Sequence, residues 1–364
     1  MTISVHLCQK SVMNMQRDLS IETAIVATSE TGGGVLYGMV DMLSAAGKLW
    51  PDLVGTGARQ TFFRTQVVSN QRDAFRCANG VPIIPDYTIE DDIVPEIVVV
   101  PEIWRSPERH LAENDAIFAA WLQKCHRSGS LIYSSCTGAI LLAASGILDG
   151  RAATSHWAYK DYFSRHFDAV DFVCGSSLVT ADRSGRIVTA SGSTSWQDLA
   201  LHIIARHCGA EEALRIAKVA LLRWHEEGQK PYTALVQRKT HDDCIIIAVE
   251  DWLEENFQQI APISGAIAFS GLSERTLKRR FKRATGSSLI NRIQCLRVEE
   301  AKRRLEMGND AVEKISVAIG YDNTSFFGRL FKRLTGLTPG AYRRMFQPVA
   351  QAGNIPFDRV FDQP

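Results

Sequence analysis

The 364-residue chain is expected to fold as an α/β sandwich followed by an all-α domain containing two helix-turn-helix units. Three observations lead there. Continuous β-branched runs alternate with helical patterns from residue 20 to about 205, strand signals vanish beyond residue 241, and basic charge collects in the C-terminal part. From Pro262 to Phe346 there are 17 Lys and Arg against 7 Asp and Glu, while the remainder carries 24 against 33. A local excess of that size marks a surface that meets phosphates, and the acidic remainder argues against the whole chain coating nucleic acid.

The length exceeds what one growing core accommodates, so two domains are expected. With 45% hydrophobic and 22% charged residues, the composition leaves little room for long disordered tracts. Runs at 22–28, 96–101, 130–134 and 187–190 read as strands, with helices at 37–47, 114–129 and 137–145 between them. Apolar runs that do not alternate indicate a mostly parallel sheet covered on both faces. Helices at 195–207 and 210–226 close this domain, and Gly228-Gln-Lys-Pro231 breaks the pattern. The expected organisation is a tail 1–19, an α/β domain 20–227, a linker 228–241, a helical domain 242–346 and a tail 347–364.

Eight cysteines are scattered singly, with no CxxC and no Cys/His pair at zinc-ligand spacing. They read as reduced core thiols, and no metal or cofactor is expected. No apolar run approaches the ~20 residues that span a bilayer. The first 19 residues, with Lys10, Arg17 and Asp18, do not form a secretory leader, so a cytoplasmic location without membrane contact is expected.

The helical domain reads as helices at 242–256, 263–269, 273–285, 288–307, 311–319, 323–335 and 339–345. In the first helix-turn-helix unit Ser273 is the expected N-cap, and Leu277 with Phe281 forms the buried stripe. The opposite face then presents Arg275, Thr276, Arg279 and Lys282, which can reach phosphates and base edges in a major groove. The arrangement repeats from Asn323, with Phe327 and Phe331 inward and Asn323, Thr324, Ser325 and Arg329 outward. The first unit is expected to supply more of the salt-dependent affinity and the second more uncharged polar contacts.

The run Leu272-Ser-Glu-Arg-Thr-Leu-Lys-Arg-Arg-Phe281, Thr285-Gly286, Leu296-Arg-Val-Glu-Glu-Ala-Lys302, Ala318-Ile-Gly-Tyr321, Ser325-Phe-Phe327, Phe331-Lys332, Thr338-Pro339 and Tyr342-Arg343 resembles the AraC-type DNA-binding domain. Ser287-Ser288 stands where that family commonly has a proline. The resemblance implies a sequence-specific transcription regulator acting on double-stranded promoter DNA.

Ser130 to Gly138 reads as a strand entering a sharp turn, with Cys136 at the elbow and a helix N-terminus expected to favour its thiolate. The segment from Cys136-Thr-Gly138 to Thr154-Ser-His-Trp157 resembles the PfpI-like branch of the class I glutamine amidotransferase-like fold, a flavodoxin-like sandwich, in its version fused to AraC-type domains. That resemblance covers about residues 20 to 225. It implies a domain that senses small metabolites, often nitrogen-containing, and forms homodimers.

Hydrolases of the superfamily place a His after the nucleophile and a Glu near the first helix; Thr137 and Val35 stand there in this chain. No catalytic residue is therefore expected. A ligand pocket is expected at Glu102, Trp104, Cys136, Thr137, His156 and Trp157, beyond the carboxyl ends of the strands. Two alternatives stay open: a thiol-dependent hydrolase or amidase acting through Cys136, and a redox sensor at the same thiol.

Overall fold

The computed structural model describes residues 20–55, 57–108, 113–236 and 241–352. The tail 1–19, most of the C-terminal tail and part of the expected linker lie outside them. The chain divides into two compact units between Gln229 and Lys230.

The first unit has β1 (Ile21–Val26), α1 (Gly33–Ala45), α2 (Leu49–Val54), β2 (Phe63–Ser69), β3 (Phe75–Arg76), β4 (Pro82–Ile83), β5 (Tyr87–Thr88) and β6 (Ile97–Val100). It continues with α3 (Glu113–Arg127), β7 (Leu131–Ser135), α4 (Ala139–Ala144), β8 (Ala152–Ala153), α5 (Lys160–His166), β9 (Asp171–Phe172), β10 (Leu178–Thr180), β11 (Ile187–Ala190), α6 (Ser195–Cys208) and α7 (Ala210–Val219). Seven strands form one sheet in the order β10-β11-β7-β6-β1-β2-β5, parallel except for β10.

Successive side chains of a strand point to opposite faces, so each central strand feeds two cores. Ala24, Val26, Val98 and Val100 pack with Phe118, Leu122 and Ile140 of α3 and α4. Ile25, Ile97 and Val99 pack with Leu36, Met39, Leu199 and Ile203 of α1 and α6. This is the mostly parallel, two-faced sandwich that the apolar runs predict.

The structure differs in detail. β2 escapes the sequence pattern because its outer half, Arg64 to Gln66, is not buried, and only Val67 to Ser69 reads as core. α1 starts four residues earlier than expected, because Gly33 and Gly34 carry no apolar signal and no side chain caps the helix. α7 stops at Val219 rather than 226. Gly138 is required where α4 begins: a Cβ there would lie 2.3 Å from the Val100 carbonyl oxygen and 2.5 Å from that of Pro101.

The second unit has α8 (Cys244–Asn256), α9 (Pro262–Ser270), α10 (Glu274–Thr285), α11 (Leu289–Met307), α12 (Val312–Ala318), α13 (Thr324–Thr335) and α14 (Pro339–Ala350). It contains two cores. Leu277 and Phe281 of α10 pack with Ile246, Leu253 and Leu289. Phe327 and Phe331 of α13 pack with Ile315, Leu305 and Tyr342. α11 contributes to both, its N-terminal half to the first and its C-terminal half to the second. Among the described residues no helix is long and apolar enough to cross a membrane.

Candidate functional site

The basic face is built on capped helices. Ser273 and Asn323 accept from the backbone N–H groups of Thr276 and Phe326, so α10 and α13 begin with the same device. On α10, Ser273, Arg275, Arg279 and Lys282 are exposed and Thr276 is half-buried, its hydroxyl accepting from Ser273 Oγ at 2.9 Å. On α13, Asn323, Ser325 and Arg329 are exposed and Thr324 is half-buried. Phe326, which the sequence reading passed over, is 41% exposed beside them. Its signal was available, since it immediately precedes the inward Phe327 and adjacent residues of a helix lie about 100° apart, which turns it away from the buried stripe.

Net charge overstates what is available to phosphates. Arg297 and Lys302 are buried. Arg280 holds Asp243 at 2.6 Å, Arg303 and Arg304 share Glu300, and Lys278 pairs with Glu274. Arg275, Arg279, Lys282 and Arg329, by contrast, make no ion pair among the described residues, so their charges remain free for a ligand. Arg275 and Arg279 line a shallow groove of about 630 Å³ with Glu274 and Lys278.

A second site lies in the α/β unit, where β1 leads to β2 on one side and β6 leads to β7 on the other. Open α/β sheets bind ligands at such switch points. The loops after β1 and β6 are paired there: Gly32 N–H donates to the Glu102 carbonyl at 3.1 Å and Trp104 N–H to that of Glu30 at 2.6 Å. Cys136 follows β7 with φ +51°, a conformation that costs a non-glycine residue about 1–3 kcal/mol and persists where surroundings impose it. Its carbonyl accepts from Ser155 Oγ at 2.8 Å, and the neighbouring Thr137 hydroxyl donates to the Ile103 carbonyl at 2.6 Å.

Five of the six expected pocket residues, Glu102, Trp104, Cys136, Thr137 and His156, line one cavity of about 360 Å³. Trp157 is not among its walls: its ring lies 5.0 Å from that of His156 and its backbone N–H donates to Gln229. Ile103, Arg105, Ser106, Tyr159 and Ser193 complete the lining, the last two unanticipated from sequence. Neither carries a local motif, and only the fold brings them near Cys136.

The expectation of a stabilised thiolate is reversed. Burial, and then the negative charge of Glu102, push the Cys136 thiol up to about 12. Both effects disfavour the charged form, and they outweigh the short turn that follows the residue. Glu102 is buried and accepts from Ser193 Oγ at 2.6 Å and Trp104 Nε1 at 3.0 Å. Its carboxylate occupies space that Gly32 leaves open, since a Cβ at Gly32 would lie 2.6 Å from Glu102 Oε1. His156 is held below the usual imidazole range by burial, and its Nδ1 accepts from Ala158 N–H at 3.2 Å. That bond fixes the proton on Nε2 in the neutral ring, leaving a donor and no base. Among the described residues no group of three His, Cys, Asp or Glu could hold a metal ion.

Comparison with known proteins agrees with both halves. The DJ-1/PfpI family model matches residues 57–206, and the model of a helix-turn-helix domain matches residues 268–345. The HTH-type transcriptional regulator GlxA of Rhizobium meliloti is 26% identical over 224 residues, which cover 61% of this chain and 68% of its own. The HTH-type transcriptional regulator CdhR of Pseudomonas aeruginosa is 25% identical over 252 residues, covering 65% and 69%. A solved THiJ/PfpI family protein from Pseudomonas syringae aligns over 71% of this chain and 95% of its own, at 18% identity and a TM-score of 0.45. With the capped, basic helix pair, the two family models and the regulators matched in sequence support a DNA-binding transcription regulator that carries an N-terminal DJ-1/PfpI domain and a C-terminal helix-turn-helix domain of AraC type.

Proposed function

We propose that α10 and α13 enter successive major grooves of a promoter, with Ser273, Arg275, Thr276, Arg279 and Lys282 in one and Asn323, Thr324, Ser325 and Arg329 in the other. The observation that carries this reading is the set of cations, without ion pairs among the described residues, on two capped helices joined by α11. Its 19 residues span about 28 Å at 1.5 Å per residue, near the ~34 Å of one DNA turn. The cavity at Cys136 holds a small-molecule effector, and the α/β domain forms a homodimer, in keeping with the fused family it resembles. Such a regulator works in the cytoplasm. Catalytic turnover is not part of the reading, because a protonated thiol and an imidazole whose Nδ1 is engaged supply neither nucleophile nor base.

The test is a gel-shift titration of the full chain on duplexes it selects from a random pool. Arg279→Ala and Arg329→Ala are each expected to weaken binding by about 1–3 kcal/mol if the residue contacts a base, and loss of a phosphate contact lowers the salt slope by about one. Undiminished affinity in the double variant overturns the assignment.

A further inference from the structure

One strip of hydrogen bonds joins the Cys136 cavity to the last residue of the α/β unit. Ser155, whose hydroxyl holds the Cys136 carbonyl, accepts at its own carbonyl from Gln229 Nε2 at 3.0 Å. The Oε1 atom of the same amide accepts from Trp157 N–H at 2.9 Å, and Nε2 also lies 3.4 Å from Thr154 Oγ1. Gln229 thus bonds the residues on both sides of His156, which lines the cavity. The side chain is buried, where a primary amide is tolerated only when its donors and acceptor are satisfied.

The backbone beside it has little freedom. Gly228 has φ +61°, and a Cβ there would lie 2.0 Å from the Gly175 carbonyl oxygen. The same oxygen accepts from Gln229 N–H at 3.2 Å. Three residues upstream of Gly228, His225 Nδ1 lies 3.0 Å from an oxygen of Asp198, which is fully buried.

Lys230 then begins the helical unit, which takes hold of the chain at once. Within that unit Tyr232 packs on Phe346 at 5.3 Å, the Thr233 carbonyl accepts from Lys302 Nζ at 2.9 Å, and Leu235 N–H donates to Glu299 at 2.6 Å. A flexible linker would absorb a small shift at its start, whereas a segment fixed at both ends within a few residues passes it on.

We infer that Gln229 is a positioning residue through which occupation of the Cys136 cavity alters the DNA affinity of the helical domain. The inference rests on the cavity being the effector site. A ligand that displaces the 155–157 turn breaks the Gln229 bonds, so bonded and released states of this strap differ in ligand affinity and in the start of the helical unit. Coupling of that kind is worth about 5- to 150-fold in binding.

The experiment uses the full chain, selected duplex DNA, and iodoacetamide as the probe that fills the cavity. Alkaline treatment converts the Cys136 thiol to a thioether with loss of iodide, confirmed by mass spectrometry. The Cys136→Ala chain, treated alike, corrects for the other cysteines. Gln229→Ala alone is expected to change DNA affinity at least about fivefold and to speed hydrogen exchange at the Trp157 amide. Gln229→Glu keeps the acceptor for Trp157 N–H and loses the donor to Ser155. It should therefore preserve Trp157 protection while changing affinity, and it carries the comparison if the Ala variant does not fold.

Alkylation of Cys136 should shift the affinity of the parent in the same direction and add nothing in the Gln229 variant. An equal alkylation effect in parent and variant overturns the strap while leaving the effector cavity standing. No effect of alkylation in either chain overturns both, and an unchanged DNA affinity in both Gln229 variants overturns the strap alone.

Discussion

Arg297→Ala is expected to lower the stability of the helical domain by about 3–5 kcal/mol, measured by urea unfolding of the full chain. The guanidinium is buried on α11 and donates to three backbone carbonyls, from Nε to Phe257, from Nη2 to Gln259 and from Nη1 to Gly320, each at 2.8 Å. Its Cζ also sits 4.7 Å from the ring centroid of Tyr321. Phe257 to Gln259 form the loop between α8 and α9, ahead of the first helix-turn-helix unit, and Gly320 is the turn of the second. One planar cation therefore satisfies carbonyls of two separate loops, which would otherwise be left without these donors. Arg297→Lys should recover only part of the loss, because an ammonium cannot reproduce three donors spread along a fork. A cost below 1 kcal/mol for the Ala variant would show that water replaces the guanidinium without penalty.

Cys136 should react with iodoacetamide at neutral pH about a hundredfold more slowly than an exposed cysteine such as Cys174 or Cys244. With its pKa raised to about 12, the thiol ionises far less than one in the ordinary range near 8.5. The greater nucleophilicity of a more basic thiolate returns about half of that deficit on a logarithmic scale. The sign is fixed by the direction of the shift: the residue is protonated throughout the neutral range, and its rate should rise tenfold per pH unit without levelling off below about pH 11. Following carbamidomethylation of each cysteine against pH by mass spectrometry reads this directly. Glu102→Gln removes the neighbouring negative charge and should speed Cys136 while leaving Cys174 and Cys244 unchanged. A plateau near pH 7 would restore the hydrolase reading and the redox reading together.

The two helix-turn-helix units were legible in the sequence because their signals are local. A capping Ser273 or Asn323, an apolar pair at i and i+4 (Leu277 and Phe281, or Phe327 and Phe331), and cations on the remaining face mark a short amphipathic helix. The repeated pattern then placed both helices, α10 and α13, within a residue or two. The edge strands β5 and β10, and β2 beside β5, were not legible, because a strand that is short or partly exposed acquires its partner from the sheet rather than from its own apolar period.

The elbow at Cys136 was equally visible as a strand, a turn and a helix, but its chemistry was not. Whether a thiol is ionised depends on the solvent and charges around it: the fold buries Cys136, and the charge beside it, Glu102, comes from the loop after β6, 34 residues away in the chain. The same holds for Tyr159 and Ser193 in the cavity wall and for the Gln229 strap, whose partners at 154–157 are more than 70 residues upstream.

The basic charge shows the division most clearly. The sequence by itself pointed to a DNA-binding surface, since a net excess of cations in 85 residues, on helices with the AraC-type pattern, is the footprint of a surface that meets phosphates. Only the tertiary structure decided which cations remain for that surface. Arg297 and Lys302 are drawn into the interior to satisfy carbonyls, and Arg280 is spent on the cap of α8, because a buried carbonyl or carboxylate without a donor costs more than a charge withdrawn from solvent into a complete set of hydrogen bonds.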